Sequence, residues 1–354
     1  MSTTQQGFLL IADITGYTMY LSQSELEHAQ EVLQSLLELL IDHTRPPLII
    51  SRLAGDAVIS YALQGTALQG QTFVESIENT YLAFRRAIEL MVLNNTCQCA
   101  ACANVASLDL KFFIHYGTFG IQRLGEHDEL VGSDVNLIHR LLKNHVTAQT
   151  GIQAYTLYTE AAVRQLGIED IGETMTAHVE EYEHLGKVKT RIQDMHPVWQ
   201  AKRDQTRIEL APDDVLAHNE GEFSLPVHLM WEIVADPDYR SIFVQSVRQQ
   251  ILSRQNGRLA PGSAYLCFHG GKRVTTQTIL EWQAFEQMTT EDTTPVPGAT
   301  VLVNIRLTPT ESGTRMAITC SKARGPFLSR LVCNFVGGFL VRAQFRKGMQ
   351  AFQA

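Results

Sequence analysis

At 354 residues the chain exceeds what one hydrophobic core usually organises and suits two domains of roughly 150 to 200 residues each. Apolar residues at 45% and charged residues at 19% describe an ordinary globular protein and exclude a disordered or low-complexity chain. The formal net charge of -8 leaves no broad basic field, which argues against nucleic acid or an anionic membrane surface as a partner.

The N-terminal stretch MSTTQQGFLLIADITGYT has no basic leader, and its apolar run breaks at Asp13, so it reads as a buried strand and not as a signal peptide. No run approaches the roughly 18 to 20 apolar residues that a membrane span requires, and a cytoplasmic location is expected. Residues 23–42 place Leu26, Leu33, Leu36 and Leu40 at helical spacing before Arg45-Pro46-Pro47. Strands at 48–51 and 57–62 follow, hinged at Gly55-Asp56, so Asp56 is presented at a hairpin turn. A second amphipathic helix is expected over 73–93, a strand over 108–115 and a third helix over 135–143.

The order strand, helix, strand, strand, helix, strand is that of a ferredoxin-like α+β sandwich. The expected boundaries are 1–196 for this domain, 197–213 for a polar linker and 214–354 for a second domain. In the second domain a short helix at 226–235 is broken by Asp236-Pro237. Strands follow at 263–269, 274–282, 300–308 and 314–321, and a long helix with an apolar stripe runs over 327–352. Antiparallel strands around one long terminal helix suggest a helix-grip architecture.

The chemistry gathers in the first domain. Asp13 and Asp56 both emerge at the edge of apolar strands, beside small-residue turns, and two such carboxylates can grip a hard divalent cation that shares its shell with phosphate oxygens. Along Glu129-Leu-Val-Gly-Ser-Asp-Val-Asn136-Leu-Ile-His-Arg140, helical spacing puts Asn136 and Arg140 on one face, where an amide and a guanidinium can address one ligand. In order and context these four residues resemble the class III nucleotide cyclase homology domain, and the resemblance extends from Gly7 to Asp194.

That resemblance implies Mg²⁺ or Mn²⁺ at Asp13 and Asp56, with the Ile14 backbone contributing, and a nucleoside triphosphate whose phosphates meet the backbone of Ile14, Thr15, Gly16 and Tyr17. Asn136 would orient the ribose, and Arg140 would stabilise the transition state. The family's purine-selecting positions hold Arg52 and Glu129, which keep the basic and acidic order of adenylate-forming members and favour ATP over GTP. Sites of this class form between two protomers, so a homodimer is implied. The chain departs from the family near the end of the domain. Aligned on Gly186, the lysine that binds the triphosphate is replaced by Leu185, and Lys187 substitutes only if the turn is rearranged. A degenerate domain that senses nucleotide without turnover, or a non-enzymatic lipid-binding protein, is therefore the alternative reading.

Cys97, Cys99 and Cys102 lie outside the general cyclase pattern. They read either as small buried thiols or as three ligands of a structural Zn²⁺ completed by a histidine such as His115 or His178. In the second domain, residues 226–231, 262–265 and 313–315 with the terminal helix resemble the START-like, polyketide-cyclase-type (SRPBCC) superfamily. Trp231, Tyr265, Phe268, Trp282, Phe335 and Phe339 either line a cavity for an apolar small molecule or lipid, or pack as ordinary core.

Overall fold

The computed structural model describes residues 3–354 except 66, 67, 96, 98, 125, 126, 270–273, 336–346, 349 and 351–354. The chain forms two compact units, Met1–Gln205 and Thr206–Ala354.

The first unit opens with β1 (Thr3–Thr15), α1 (Tyr17–Ser22), α2 (Leu26–Thr44), β2 (Ile49–Ala54), β3 (Ala57–Leu63) and α3 (Gly70–Leu93). It continues through α4 (Ala100–Asn104), β4 (Asp109–Leu124), β5 (His127–Val131), α5 (Ser133–Leu141) and α6 (Val146–Thr150). β6 (Tyr155–Thr159), α7 (Glu160–Leu166), α8 (Glu169–Gly172), β7 (Thr176–Tyr182), β8 (Gly186–Asp194) and α9 (Met195–Asp204) complete it.

Among the described residues the strands form one sheet in the order β2-β3-β1-β4-β6-β8-β7, with β5 paired to β4. β3 lies antiparallel between β1 and β2, and β4 lies antiparallel to β1 on the other side. This interleaving of two βαβ crossovers is the α+β arrangement that the element order predicts. The alternation of β1 explains its position. Phe8, Leu10, Ala12 and Ile14 join the core under α2 and α3, whereas Leu9 and Ile11 join a second cluster with Val135, Ile138 and Leu141 of α5. Asp13 continues the second set, so its carboxylate belongs to the α5 side of the sheet.

The helix over Met195–Asp204 takes up the first part of the expected linker at 197–213. The Asp194 side chain caps this helix by accepting from the His196 amide at 3.0 Å, and Met195, Val198 and Trp199 turn inward.

The second unit contains β9 (Val215–Phe223), α10 (Val227–Ala235), α11 (Pro237–Phe243), β10 (Arg248–Ser253), β11 (Ala264–Phe268) and β12 (Val274–Gln283). β13 (Gln287–Thr293), β14 (Thr300–Thr310) and β15 (Gly313–Ser321) follow, and the antiparallel order is β10-β11-β12-β13-β14-β15-β9. Asp236 does not simply break a helix. Its Oδ1 accepts from the amides of Asp238 at 2.8 Å and Tyr239 at 3.4 Å, so it ends α10 and caps α11.

The rings of this unit fill its core. Trp231 meets Trp282 edge-on at 4.9 Å between centroids and Phe285 at 6.1 Å, and Tyr265 is fully buried with its hydroxyl donating to the Ala235 carbonyl at 2.8 Å. Phe268 lies under the Arg248 guanidinium, and Phe335 is exposed. Residues 327–335 are helical, as expected for the start of the terminal helix, while Phe339 lies outside the described residues.

Candidate functional site

The two aspartates are brought together by backbone pairing. Asp13 sits opposite Ala57 on one side and Lys111 on the other, and the Ile14 amide donates to the Asp56 carbonyl at 3.1 Å, fastening the β2–β3 turn to the end of β1. Both side chains are half-buried. Burial, and then the Asp56 charge, push the Asp13 carboxyl up to about 6, with Lys111 opposing them. Burial also raises Asp56.

Lys111 is a component that sequence reasoning missed. Burial lowers its ammonium against the pull of Asp13 and Asp109, and its Nζ lies 5.0 Å from the Tyr155 ring centroid and 3.5 Å from Thr147 Oγ1. The signal was present: a lysine interrupts the apolar alternation of the strand sequence LKFFI at residues 110–114. Even with this ammonium nearby, burial keeps the Asp13 carboxyl raised. An oxygen-only donor set of this kind fits a hard divalent cation.

The turn after Asp13 is built around Gly16, whose φ of 90° is left-handed and whose Cβ, if present, would stand 3.2 Å from the Ser107 carbonyl oxygen. Thr15 Oγ1 is buried at this turn with no hydrogen-bond partner among the described residues, so it is left with an unmet polar need that a ligand would fill. The Ile14 N–H donates to the Asp56 carbonyl, so it is already engaged within the protein.

Asn136 and Arg140 lie on α5 as expected, and both are exposed. At about 100° per residue they point away from Val135, Ile138 and Leu141, which bury against the sheet. The amide and guanidinium therefore face outward from the unit, while Asp13 lies on the sheet beneath the helix.

The start of α5 is held by Asp134. Its Oδ2 accepts from the Thr118 amide at 2.6 Å and its Oδ1 lies 3.3 Å from His115 Nε2. Gly117 makes room for this clamp, because a Cβ there would fall 2.4 Å from Asp134 Oδ2.

Arg52 and Glu129, expected at the purine-selecting positions, meet each other. A register shift in β2 between Ile50 and Arg52 precedes the arginine, and Arg52 Nη1 lies 3.0 Å from Glu129 Oε2 of β5. His139 of α5 is lowered by burial and then by the Arg52 charge, so helix, edge strand and β5 converge at one place.

Lys187 and Leu185 belong elsewhere in the unit. They flank Gly186 in the β7–β8 hairpin, where Tyr182 pairs with Gly186 and Glu181 with Lys187, and Lys187 is exposed. Asp194 at the other end of β8 pairs with Tyr155, the ring under Lys111. At roughly 3.3 Å per residue, β8 carries Lys187 on the order of 20 Å from the Asp13 level.

The cysteine segment folds back on the start of α2. His28 Nδ1 lies 3.2 Å from Cys99 Sγ and 3.7 Å from Cys97 Sγ, and with Cys102 the four ligand atoms lie within 4.8 Å of one another. The histidine beside the thiols is His28, and not His115 or His178. His115 Nδ1 is paired with Thr159 Oγ1 at 2.9 Å and its Nε2 faces Asp134, while His178 Nε2 lies 2.6 Å from Glu180.

Residues 33–150 match a family described as a protein of unknown function (DUF2652). The uncharacterized protein Rv2561/Rv2562 of Mycobacterium tuberculosis is 28% identical over 160 residues, covering 45% of this chain and 72% of that protein. The structure is similar to the guanylyl cyclase Cya2, at 15% identity and a TM-score of 0.41, over 54% of this chain and 92% of that one. It is also similar to the guanylate cyclase domain of RhGC from Catenaria anguillulae in complex with GTP, at 19% identity and a TM-score of 0.38, over 54% and 97% of the two chains. Among the described residues no helix is long and apolar enough to cross a membrane.

Proposed function

We propose that residues 1–196 form a class III-type nucleotidyl cyclase that converts ATP, in preference to GTP, to the 3′,5′-cyclic nucleotide and pyrophosphate in a site shared by two copies of the chain. The observation that carries this reading is the Ile14 N–H to Asp56 carbonyl bond, which fastens the turn bearing Asp56 to the strand end bearing Asp13 and so gathers two half-buried carboxylates, Asp13 raised to about 6. Held by Asp13 and Asp56 beside the Ile14 backbone, Mg²⁺ or Mn²⁺ would supply the charge that makes a ribose 3′-hydroxyl nucleophilic and a triphosphate a better leaving group.

The remaining roles fall to the chain. The amides of Thr15, Gly16 and Tyr17 receive phosphate oxygens, and the Thr15 hydroxyl gains a partner. Arg52 and Glu129 part from one another to meet the purine edge, the carboxylate accepting from an amino group and the guanidinium donating to a ring nitrogen. Asn136 orients the ribose. Arg140 neutralises charge on the phosphorus as its bond to the 3′-oxygen forms and its bond to pyrophosphate breaks. The outward direction of Asn136 and Arg140 supports a site in which one protomer brings these residues to the other protomer's aspartates. Lys187, distant from Asp13 in its own chain, would reach a triphosphate only in the partner's site and only with the hairpin turn rearranged.

A second reading, nucleotide binding without turnover, is favoured by one observation: Leu185 occupies the phosphate-lysine position and exposes an apolar side chain there. In either reading the second unit is the place for regulation. An apolar ligand there would have to displace rings already packed together, such as Trp231 and Trp282.

Purified protein incubated with ATP or GTP and Mn²⁺, with Asp56→Ala as control, tests the proposal. Cyclic nucleotide from wild type and none from the variant supports it. Nucleotide binding with no cyclic product from either substrate establishes the second reading instead.

A further inference from the structure

We propose that His28, Cys97, Cys99 and Cys102 bind one structural Zn²⁺ that ties α2 to the segment supporting the Gly16 turn. Three thiols and an imidazole from two separated stretches of chain come together here, with His28 in the first turn of α2 and Cys102 inside α4. A tetrahedral zinc ion with bonds of about 2.1 Å to nitrogen and 2.3 Å to sulfur separates such ligands by roughly 3.6 to 3.8 Å. The His28–Cys99 and His28–Cys97 separations of 3.2 and 3.7 Å are already close to that spacing. Four protein ligands leave no open coordination position, which makes the site structural and separates it from the cation chemistry of Asp13 and Asp56.

The surrounding backbone is arranged for the same purpose. The Cys102 amide approaches Cys99 Sγ at 3.4 Å and the Cys99 amide approaches Cys97 Sγ at 3.5 Å, the N–H to sulfur contacts that stabilise thiolate ligands. Glu25, the residue immediately before α2, accepts from the Ala101 amide at 3.1 Å and links the same two segments a second time. From α4 the chain passes directly to Ser107, whose carbonyl oxygen is the surface on which Gly16 packs. The ion would thus fix the floor beneath Thr15, Gly16 and Tyr17. The site stands whether or not the chain turns over nucleotide, since its ligands are separate from those of the proposed reaction.

The test is the metal content of full-length protein purified without chelator. About one zinc per chain is expected in wild type, falling below about a fifth in His28→Ala and Cys99→Ser, while His28→Cys restores it because a four-thiolate set also binds zinc. Cobalt exchanged into wild type should show the visible bands of a tetrahedral site with a thiolate charge-transfer band, and removing zinc with a chelator should lower the melting temperature of wild type but not of Cys99→Ser. Wild-type protein with reduced thiols and less than about a tenth of a zinc per chain, or cobalt giving no tetrahedral spectrum, overturns the proposal.

Discussion

The Arg52 guanidinium lies 3.0 Å from the Glu129 carboxylate, joining the edge strand β2 to β5 across the face that carries α5. Both side chains are substantially exposed, so the pair contributes only about 0.2–1 kcal/mol to stability. Glu129→Gln should therefore leave the melting temperature nearly unchanged. It should reduce kcat/KM for ATP by roughly ten- to a hundredfold and narrow the ratio of ATP to GTP turnover, because in the proposed site the carboxylate accepts from the adenine amino group. Steady-state assays with both nucleotides check this, and an unaltered ratio would remove Glu129 from purine selection.

Asp13→Asn should stabilise the metal-free protein while abolishing metal-dependent turnover. The carboxyl is raised from its usual 3.8 to about 6, so the folded state holds its proton more tightly than the unfolded state does. That group therefore costs stability above pH 6, on the order of 1–3 kcal/mol, and the cost disappears as pH falls from about 6 toward 4. Chemical denaturation of both proteins without divalent metal should show the variant more stable at pH 7.5 and the difference closing near pH 4. Equal stabilities at both pH values would contradict the burial and Asp56 effects assigned to this residue.

The outward direction of Asn136 and Arg140 makes a mixing experiment decisive. Asp56→Ala and Arg140→Ala homodimers should each be inactive, whereas co-refolding equal amounts should recover about a quarter of wild-type activity. Half of the random dimers are mixed, and each of those holds one intact site. No recovery from mixtures shown to contain heterodimer would refute a shared site.

Leu185 gives a gain-of-function test. Its side chain is 36% exposed at a hairpin turn, so Leu185→Lys should be tolerated within about 0.5 kcal/mol. The added ammonium should lower KM for the triphosphate, and Lys187→Ala should raise it only if Lys187 now performs that role. Kinetic comparison of the two variants decides which position serves the phosphates.

What the sequence made legible follows from how burial is expressed in it. β1, β3, α2 and α3 carry apolar residues at the period of their own geometry, and Asp13 and Asp56 stand out because they interrupt those runs. β7 and β8 escaped notice because their inward positions are polar: His178, Glu180 and Thr190 are buried and satisfied by one another and by His145. β13 was hidden in the same way, since buried Thr289 and Gln287 bond to the carboxylate of Glu281. His28 was invisible as a partner of the cysteines because nothing in a helical periodicity tells which distant loop will fold over its first turn. The mutual pairing of Arg52 and Glu129 was equally out of reach, since it depends on β5 lying against β4.

The alternation of β1 makes the chain intolerant of a particular genetic lesion. Adding or removing one residue between Phe8 and Ala12 would invert every side chain beyond the lesion, driving Asp13 under α2 and α3 and lifting Ala12 or Ile14 into the site. Length variation among descendants of this sequence should therefore collect in loops such as the segment joining β3 to α3, while β1 changes by substitution alone.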